Sequence, residues 1–186
     1  MSRTEIKIGG LGGQGVILAG MILGRAAALY DDMDATLTQS FGPEARGGAC
    51  SAQVVVNTER NLYPCVTRPD ILVVMSQPAY ERFVMEVKPG ALVLYEESLV
   101  ETHHLPEGCR AFGIPATRFA EELGRRMVLN IIMVGFLTAL ADVVSVEAAR
   151  KAVVDSVPKG TEKLNLGAFE KGYEFGLDIK NRESSC

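Results

Sequence analysis

Five glycines follow a short apolar segment near the start of the chain, and their spacing suits the binding of an anion. Residues 5–8 have the character of a buried strand, and the apolar run over residues 16–29 predicts a helix. Glycines leave backbone amides accessible, and the positive end of the helix dipole attracts negative charge. The region therefore predicts a phosphate-binding loop at a strand–helix junction, with Gly9, Gly10, Gly12, Gly13 and Gly15.

The residues around the glycines limit which phosphate-containing ligand the loop could bind. Gly10, Gly12 and Gly15 match the dinucleotide fingerprint, which also needs an acidic residue at the end of the next strand. The nearest acidic residues come before that strand, predicted over residues 35–40, and no Lys-Ser/Thr pair follows the glycines. These facts argue against a nicotinamide dinucleotide and against an ordinary nucleotide triphosphatase. A tight turn that packs a helix closely and binds nothing stays open.

A second glycine-containing segment, residues 39–48, follows the predicted second strand, at the end where open α/β sheets bind ligands. A parallel connection would place it beside the first glycine loop. Glu44 and Arg46 suit a hydrogen-bonding group and an anion, or they pair on the surface, where such a pair stabilises little. The candidate residues here are Gln39, Ser40, Gly42, Glu44, Arg46 and Gly47.

Cysteine and histidine spacing gives no metal site. The four cysteines are scattered without a Cys-x-x-Cys pair, which argues against zinc or an iron–sulfur cluster in this chain and favours reduced structural thiols. His103 and His104 are adjacent in an extended segment, so their side chains point to opposite sides and are poorly arranged to share a metal. This histidine pair is predicted to lie in a solvated loop.

Alternating strand and helix patterns must position the two loops. Short apolar strands over residues 71–75, 91–95 and 110–114, with helical spacing over residues 77–87, indicate a mainly parallel open sheet flanked by helices, a Rossmann-like α/β fold. The strand over residues 49–56 is predicted to form an edge hairpin with a partner near Tyr63.

Beyond residue 115 the pattern indicates helices only. They are predicted over residues 117–123, 129–142, 146–157 and 161–176. Glycines in the last of them predict short or irregular helices there. The second is predicted to be a buried helix, and its apolar character on nearly every side also suggests burial against a partner subunit.

Length and composition bound the class of protein. The 186 residues fit a single domain over residues 1–186, with an α/β core at 1–115 and a helical part at 116–180. Apolar residues make up 47% and the net charge is -4, which excludes bulk attraction to nucleic acid or an anionic membrane. No signal pattern opens the chain, so a cytoplasmic location is expected. The longest apolar stretch is shorter than the roughly 20 residues that cross a bilayer.

Three segments, taken in order, resemble the successive signatures of the gamma subunit of 2-oxoacid:ferredoxin oxidoreductases. They are residues 9–16 (GGLGGQGV), residues 39–48 (QSFGPEARGG) and residues 68–77 (RPDILVVMSQ). The likeness runs over most of the chain, and the GPEARGG form is most similar to the 2-oxoglutarate branch. The resemblance implies the fold of domain III of pyruvate-ferredoxin oxidoreductase.

The activity implied by this resemblance belongs to a complex. Such enzymes oxidatively decarboxylate a 2-oxoacid, reduce ferredoxin and transfer the acyl group to coenzyme A. Alpha, beta and delta partner subunits would supply thiamine diphosphate, Mg²⁺ and iron–sulfur clusters, so this chain is not expected to be active alone. In this chain Gly10, Gly12, Gly13, Gln14 and Gly15 are expected to hold the diphosphate of coenzyme A.

The second segment is expected to shape the entrance of the thiamine site or to dock the alpha subunit. Its residues Gln39, Ser40, Gly42, Arg46 and Gly47 are candidates for cofactor contact, and Glu44 and Arg46 for contributing to the active site. Two alternatives stay open: a structural subunit with an empty glycine loop, and a stand-alone nucleotide- or flavin-binding protein.

Overall fold

A computed structural model describes residues 3–40, 49–60 and 63–184. Six strands form one sheet in the order β2-β3-β1-β4-β5-β6 within these ranges. They are β1 (Thr4–Leu11), β2 (Asp34–Ser40), β3 (Ala49–Asn57), β4 (Ile71–Val74), β5 (Leu92–Glu96) and β6 (Arg110–Ile114). Only β3 runs antiparallel to its neighbours in this part of the chain. The predicted mainly parallel α/β fold is therefore confirmed.

Helices cover both faces of the sheet. They are α1 (Val16–Arg25), α2 (Gln77–Phe83), α3 (Ala116–Glu122), α4 (Leu129–Ala141), α5 (Val146–Ser156) and α6 (Glu162–Ser184). Helix α2 packs over Leu72, Val74 and Val93. The other five share a core with the opposite side chains of the same strands, such as Ile8 and Val73. This split follows from the alternation of side chains along each strand.

The predicted hairpin partner of β3 is wrong. Strand β3 pairs with β2 and β1, whereas Tyr63 lies outside any strand. The hairpin partner of β3 is thus the strand before it. In addition, β2 is not a neighbour of β1, because β3 lies between them. Strands β1 and β2 are parallel and joined through α1, and β3 lies between them in the sheet.

Helix α6 is a single continuous helix of 23 residues, which corrects the prediction of short, irregular helices. Two of its glycines, Gly172 and Gly176, lie where it crosses α4. A Cβ at Gly172 would stand 2.0 Å from the carbonyl oxygen of Ile132, and one at Gly135 of α4 would stand 2.1 Å from that of Phe169. The two backbones therefore touch. The prediction that α4 is a buried helix is confirmed, since this chain's own sheet and helices bury ten of its residues.

Candidate functional site

The first two glycines of the motif lie inside β1 and allow close packing there. A Cβ at Gly9 would stand 2.9 Å from the Phe83 ring, and one at Gly10 would stand 2.7 Å from the Oε1 atom of Gln14. The glycine spacing predicts a loop that begins at residue 9. Strand pairing continues to Leu11, opposite residue 49, so the loop proper is residues 12–15.

The remaining glycines form the turn from β1 into α1. Gly13 has φ 95° and Gly15 has φ 71°, a left-handed backbone that favours glycine. Gly15 is the residue before the first turn of α1, and no side chain caps that helix end. A Cβ on Gly15 would also stand 2.4 Å from Nδ2 of Asn130. Backbone conformation and packing both require glycine at this position.

Gln14 braces the loop with its side chain. Its Oε1 accepts a hydrogen bond from the Leu11 amide at 2.6 Å, and its Nε2 donates to the Met75 carbonyl at 2.8 Å. Its own amide donates to the Leu11 carbonyl at 3.1 Å. Among the described residues, the amides of Gly12, Gly13 and Gly15 donate to no protein acceptor. Gln14 thus engages its amide and its side chain within the protein, whereas the three glycine amides are available.

The loop lies where the chain direction changes within the sheet. From β1 the chain passes through α1 to the β2 side, whereas from β4 it passes through α2 to β5 on the other side. Open α/β sheets bind ligands in the crevice at the carboxyl ends of strands that flank such a point. The bond from Gln14 to Met75 spans this crevice, because Met75 directly follows β4.

A pocket of about 340 Å³ opens beside the loop. Most of its wall is apolar, and Arg126 adds a guanidinium. The guanidinium of Arg126 pairs with Glu121 at 2.7 Å, and its side chain is 83% exposed. The lining residues are Gly13, Gln14, Leu99, Thr117, Ala120, Arg126, Met127 and Leu129.

Three buried side-chain oxygens in the described ranges have no hydrogen-bond partner; one belongs to Thr117 in the pocket wall, and the other two to residues that are bonded to Thr117 or directly follow Leu129. They are Oε2 of Glu96, Oγ1 of Thr117 and Oδ1 of Asn130. Glu96 is fully buried, and its other oxygen accepts from the Thr117 amide at 3.1 Å. Buried unpaired polar groups are rare and cost stability, so they often mark functional regions.

Three residues near the pocket are not among the predicted site residues: Thr117, Arg126 and Asn130. Thr117 follows β6 at the carboxyl edge of the sheet, so its position relative to a predicted strand was an available signal. Asn130 is bonded to the Gly15 carbonyl across 115 positions of the chain. No local pattern reveals that contact.

The second predicted segment is only partly described. Gln39 and Ser40 are exposed at the carboxyl end of β2. Ser40 pairs with Ser51, which pairs with Gly9, so two strand spacings of about 4.8 Å separate Ser40 from Gly9. The remaining candidates lie outside the described residues: Gly42, Glu44, Arg46 and Gly47.

Cys50 faces Gly10 across the β1–β3 pair and is buried. Burial raises the pKa of its thiol, which keeps it protonated near neutral pH. In residues 3–40, 49–60 and 63–184, no group of three His, Cys, Asp or Glu side chains could hold a metal ion. Across the same ranges, no helix has the length and apolar character needed to cross a bilayer.

The fold and the loop together define an open-sheet α/β protein with a glycine turn, whose amides are free, at its topological switch point. A family model described as pyruvate ferredoxin/flavodoxin oxidoreductase matches residues 5–175. The chain belongs to this family.

Curated relatives match over nearly the whole of this chain. The 2-oxoglutarate synthase subunit KorC of Methanocaldococcus jannaschii is 52% identical, covering 95% of this chain and 96% of the relative. The KorC subunit of Archaeoglobus fulgidus is 36% identical, covering 95% and 90%. The ketoisovalerate oxidoreductase subunit VorA of Methanothermobacter marburgensis is 34% identical, covering 93% of this chain and 36% of the longer relative.

Solved structures agree with this assignment. A keto/oxoacid ferredoxin oxidoreductase gamma subunit from Geobacter sulfurreducens has a TM-score of 0.83 and 37% identity, covering 94% of this chain and 99% of that one. A 2-oxoglutarate:ferredoxin oxidoreductase from Magnetococcus marinus, with 2-oxoglutarate, coenzyme A and succinyl-CoA bound, has a TM-score of 0.81 and 25% identity, covering 95% and 31%. The resemblance to the gamma subunit is confirmed.

Proposed function

We propose that this chain is the gamma subunit of a 2-oxoglutarate:ferredoxin oxidoreductase, and that its glycine loop binds the diphosphate of coenzyme A. The complex would decarboxylate 2-oxoglutarate oxidatively, reduce ferredoxin and form succinyl-CoA. The names of the KorC relatives support the substrate, and the ligands in the Magnetococcus marinus structure support coenzyme A as the acyl acceptor. A cytoplasmic location suits such a complex.

One observation carries the role of the loop: three amides, those of Gly12, Gly13 and Gly15, donate to no described protein acceptor at the start of α1. A diphosphate would accept hydrogen bonds from these amides, and the dipole of a ten-residue helix adds favourable potential. No acidic residue stands in the first turn of α1, so nothing there repels the anion. The position at the switch point is the usual one for such a ligand.

The rest of the ligand has a place in the adjoining pocket. A mostly apolar wall formed in part by Leu99, Met127 and Leu129 suits the organic parts of coenzyme A, and the Arg126 guanidinium suits a further phosphate. The exposed Met127 and Leu99 side chains would lose contact with water when the pocket is filled.

The redox chemistry of the proposed reaction belongs to partner chains. Alpha, beta and delta subunits would bring thiamine diphosphate with Mg²⁺ and the iron–sulfur clusters. The second segment, with Glu44 and Arg46, would shape the entrance to the thiamine site or dock the alpha subunit, with Gln39 and Ser40 at its start. In this proposal the chain itself binds coenzyme A and closes the active site.

A charge placed in the loop tests the proposal. Gly13→Asp should weaken coenzyme A binding to the assembled complex at least tenfold, because a carboxylate would face the diphosphate. Gly24→Asp is the matched control: it adds the same charge near the far end of α1, at a position with nothing within 4 Å. Isothermal titration of both variants against coenzyme A gives the measurement.

The outcomes separate the proposal from its alternatives. Unchanged affinity in Gly13→Asp, with the complex assembled, would mean that the loop is empty and the subunit is structural. Tight binding of a nucleotide or flavin by the isolated chain would favour a stand-alone binding protein instead.

A further inference from the structure

Asn130, which lies outside the glycine loop, makes a hydrogen bond to the carbonyl of Gly15, the last residue of the loop. It lies in the first turn of α4 and is 2% exposed, and its Nδ2 donates to the Gly15 carbonyl at 3.2 Å. The same carbonyl accepts from the Ala19 amide at 3.0 Å, which is the first hydrogen bond of α1. The Gly15 carbonyl is therefore held both by its own helix and by a distant one.

Holding this carbonyl also directs an amide. The peptide between Gly15 and Val16 is planar and trans, so its C=O and N–H point in opposite directions. With the carbonyl directed along α1, the Val16 amide points out of the N-terminal end of the helix. This amide is one of the first-turn donors that have no partner within a helix, and it lies beside the free amides of the loop.

Asn130 also connects the loop to the wall of the pocket. It directly follows Leu129, and the helical turn Arg126–Val128 comes just before it. Arg126 and Leu129 both line the pocket next to Gly13. One side chain therefore links the anion-binding amides to the segment that forms the pocket wall.

Packing alone does not account for an asparagine here. Its neighbours Leu129, Ile131 and Ile132 are apolar, and its Oδ1 atom is buried without a partner, which costs stability relative to an apolar side chain. Leucine branches at the same carbon as asparagine and carries no polar atom, so it is the apolar replacement closest in shape.

We infer that Asn130 is a positioning residue for coenzyme A binding, which holds the Gly15–Val16 peptide and the 126–129 wall in the binding geometry. The inference rests on the proposed function of the glycine loop. Asn130 itself touches no reacting atom. Removing its hydrogen bond should weaken coenzyme A binding and leave the chemical steps unchanged.

Asn130→Leu and Asn130→Ala test the inference in the assembled complex. In both variants the KM for coenzyme A should rise about 3- to 10-fold, the size of one hydrogen bond. The KM for 2-oxoglutarate and kcat at saturating coenzyme A should stay within twofold. Asn130→Leu should also unfold at the same or a higher temperature than the wild type, because it removes the unpaired oxygen. A purely structural asparagine would not show lower affinity together with retained stability.

Asn165→Ala provides the matched control. Asn165 is also buried on a helix, and its Nδ2 donates to the Thr161 carbonyl at 2.9 Å and to the Thr161 hydroxyl, so neither of these hydrogen bonds reaches the glycine loop. This variant should leave the KM for coenzyme A unchanged. Hydrogen exchange of the chain gives a second measurement, since amides 12–19 should exchange faster in both Asn130 variants and not in Asn165→Ala.

Two results would overturn the inference. One is a KM for coenzyme A within twofold of the wild type in Asn130→Leu, or in Asn130→Ala if only that variant assembles. The other is a uniform rise in exchange across the chain without a local effect at residues 12–19. The Gly13→Asp titration separates failure of the proposed function from failure of the inference about Asn130. If Gly13→Asp binds coenzyme A normally, the proposed function itself fails. If only the Asn130 variants bind normally, the inference alone fails.

Discussion

Replacing Gly172 with alanine should strongly destabilise the fold, because this glycine lies where α6 touches α4. The new Cβ would stand 2.0 Å from the Ile132 carbonyl oxygen and 2.8 Å from its carbon. Ordinary contact begins at 3.4 Å, so 3.4 − 2.0 = 1.4 Å of separation is needed. Both obstructing atoms belong to the backbone of α4 and cannot rotate away. The helices must therefore move apart, which loosens the packing of buried Phe136 and Phe169.

The expected size follows from two opposing effects. Overpacking of a core costs roughly 3 kcal/mol at the upper end of its usual range. Alanine is more favourable than glycine inside a helix by about 1 kcal/mol. The net loss of unfolding free energy for Gly172→Ala is thus about 2 kcal/mol, or roughly 4–8 °C in Tm for a chain of this size.

Gly167→Ala is the matched control, on the same helix. A Cβ there meets nothing within 4 Å, and the backbone has an ordinary helical φ. Only the propensity effect applies, so this variant should gain roughly 0.5–1 kcal/mol. Urea unfolding of the purified chain, followed by circular dichroism, measures both variants. Equal effects of the two substitutions, or a gain in stability for Gly172→Ala, would refute the proposed backbone contact.

Two further predictions concern an ion pair between α5 and α6 and the reactivity of the cysteine thiols. Arg150 contacts Glu170 through two nitrogens, at 2.7 and 2.9 Å, so Arg150→Lys should lose roughly 0.5–1 kcal/mol of unfolding free energy at low salt and less at high salt. Urea unfolding at two salt concentrations tests this, and a loss that does not depend on salt would contradict it. The raised pKa of Cys50 leaves little thiolate, so iodoacetamide at about pH 8 should modify exposed Cys65 in the native chain and Cys50 only after denaturation. Mass spectrometry of the labelled peptides measures the modification of each cysteine. Equal labelling of Cys50 and Cys65 in the native chain would contradict the burial of Cys50.

Local patterns carried much of the fold. The alternation of apolar strands and amphipathic helices predicted the parallel half of the sheet, and β6 was predicted with the bounds Arg110–Ile114 that the structure shows. Such patterns arise from side-chain periodicity within one element, so a single sequence reveals them. Strand pairing is different, because it depends on residues far apart in the chain. The insertion of β3 between β2 and β1 was missed for that reason.

The same contrast holds for α6. Glycine disfavours the interior of an isolated helix, and several glycines in one segment therefore predicted irregular structure. In the structure Gly172 and Gly135 allow the backbones of α6 and α4 to touch, and burial of the surrounding apolar side chains outweighs the low propensity. The packing partner of a glycine is a tertiary fact that its neighbours in sequence do not show.

The amino-acid sequence by itself determined the glycine loop, its place between a strand and a helix, and the family. Glycine spacing and the strand-to-helix change are local, so they can be seen without a structure. Only the tertiary structure decided which amides of that loop remain free, because Gln14 uses its own amide and side chain for bracing. It also decided that Thr117, Arg126 and Asn130 converge on the loop. Hydrogen bonds and pockets join residues more than a hundred positions apart, and the folded chain alone brings them together.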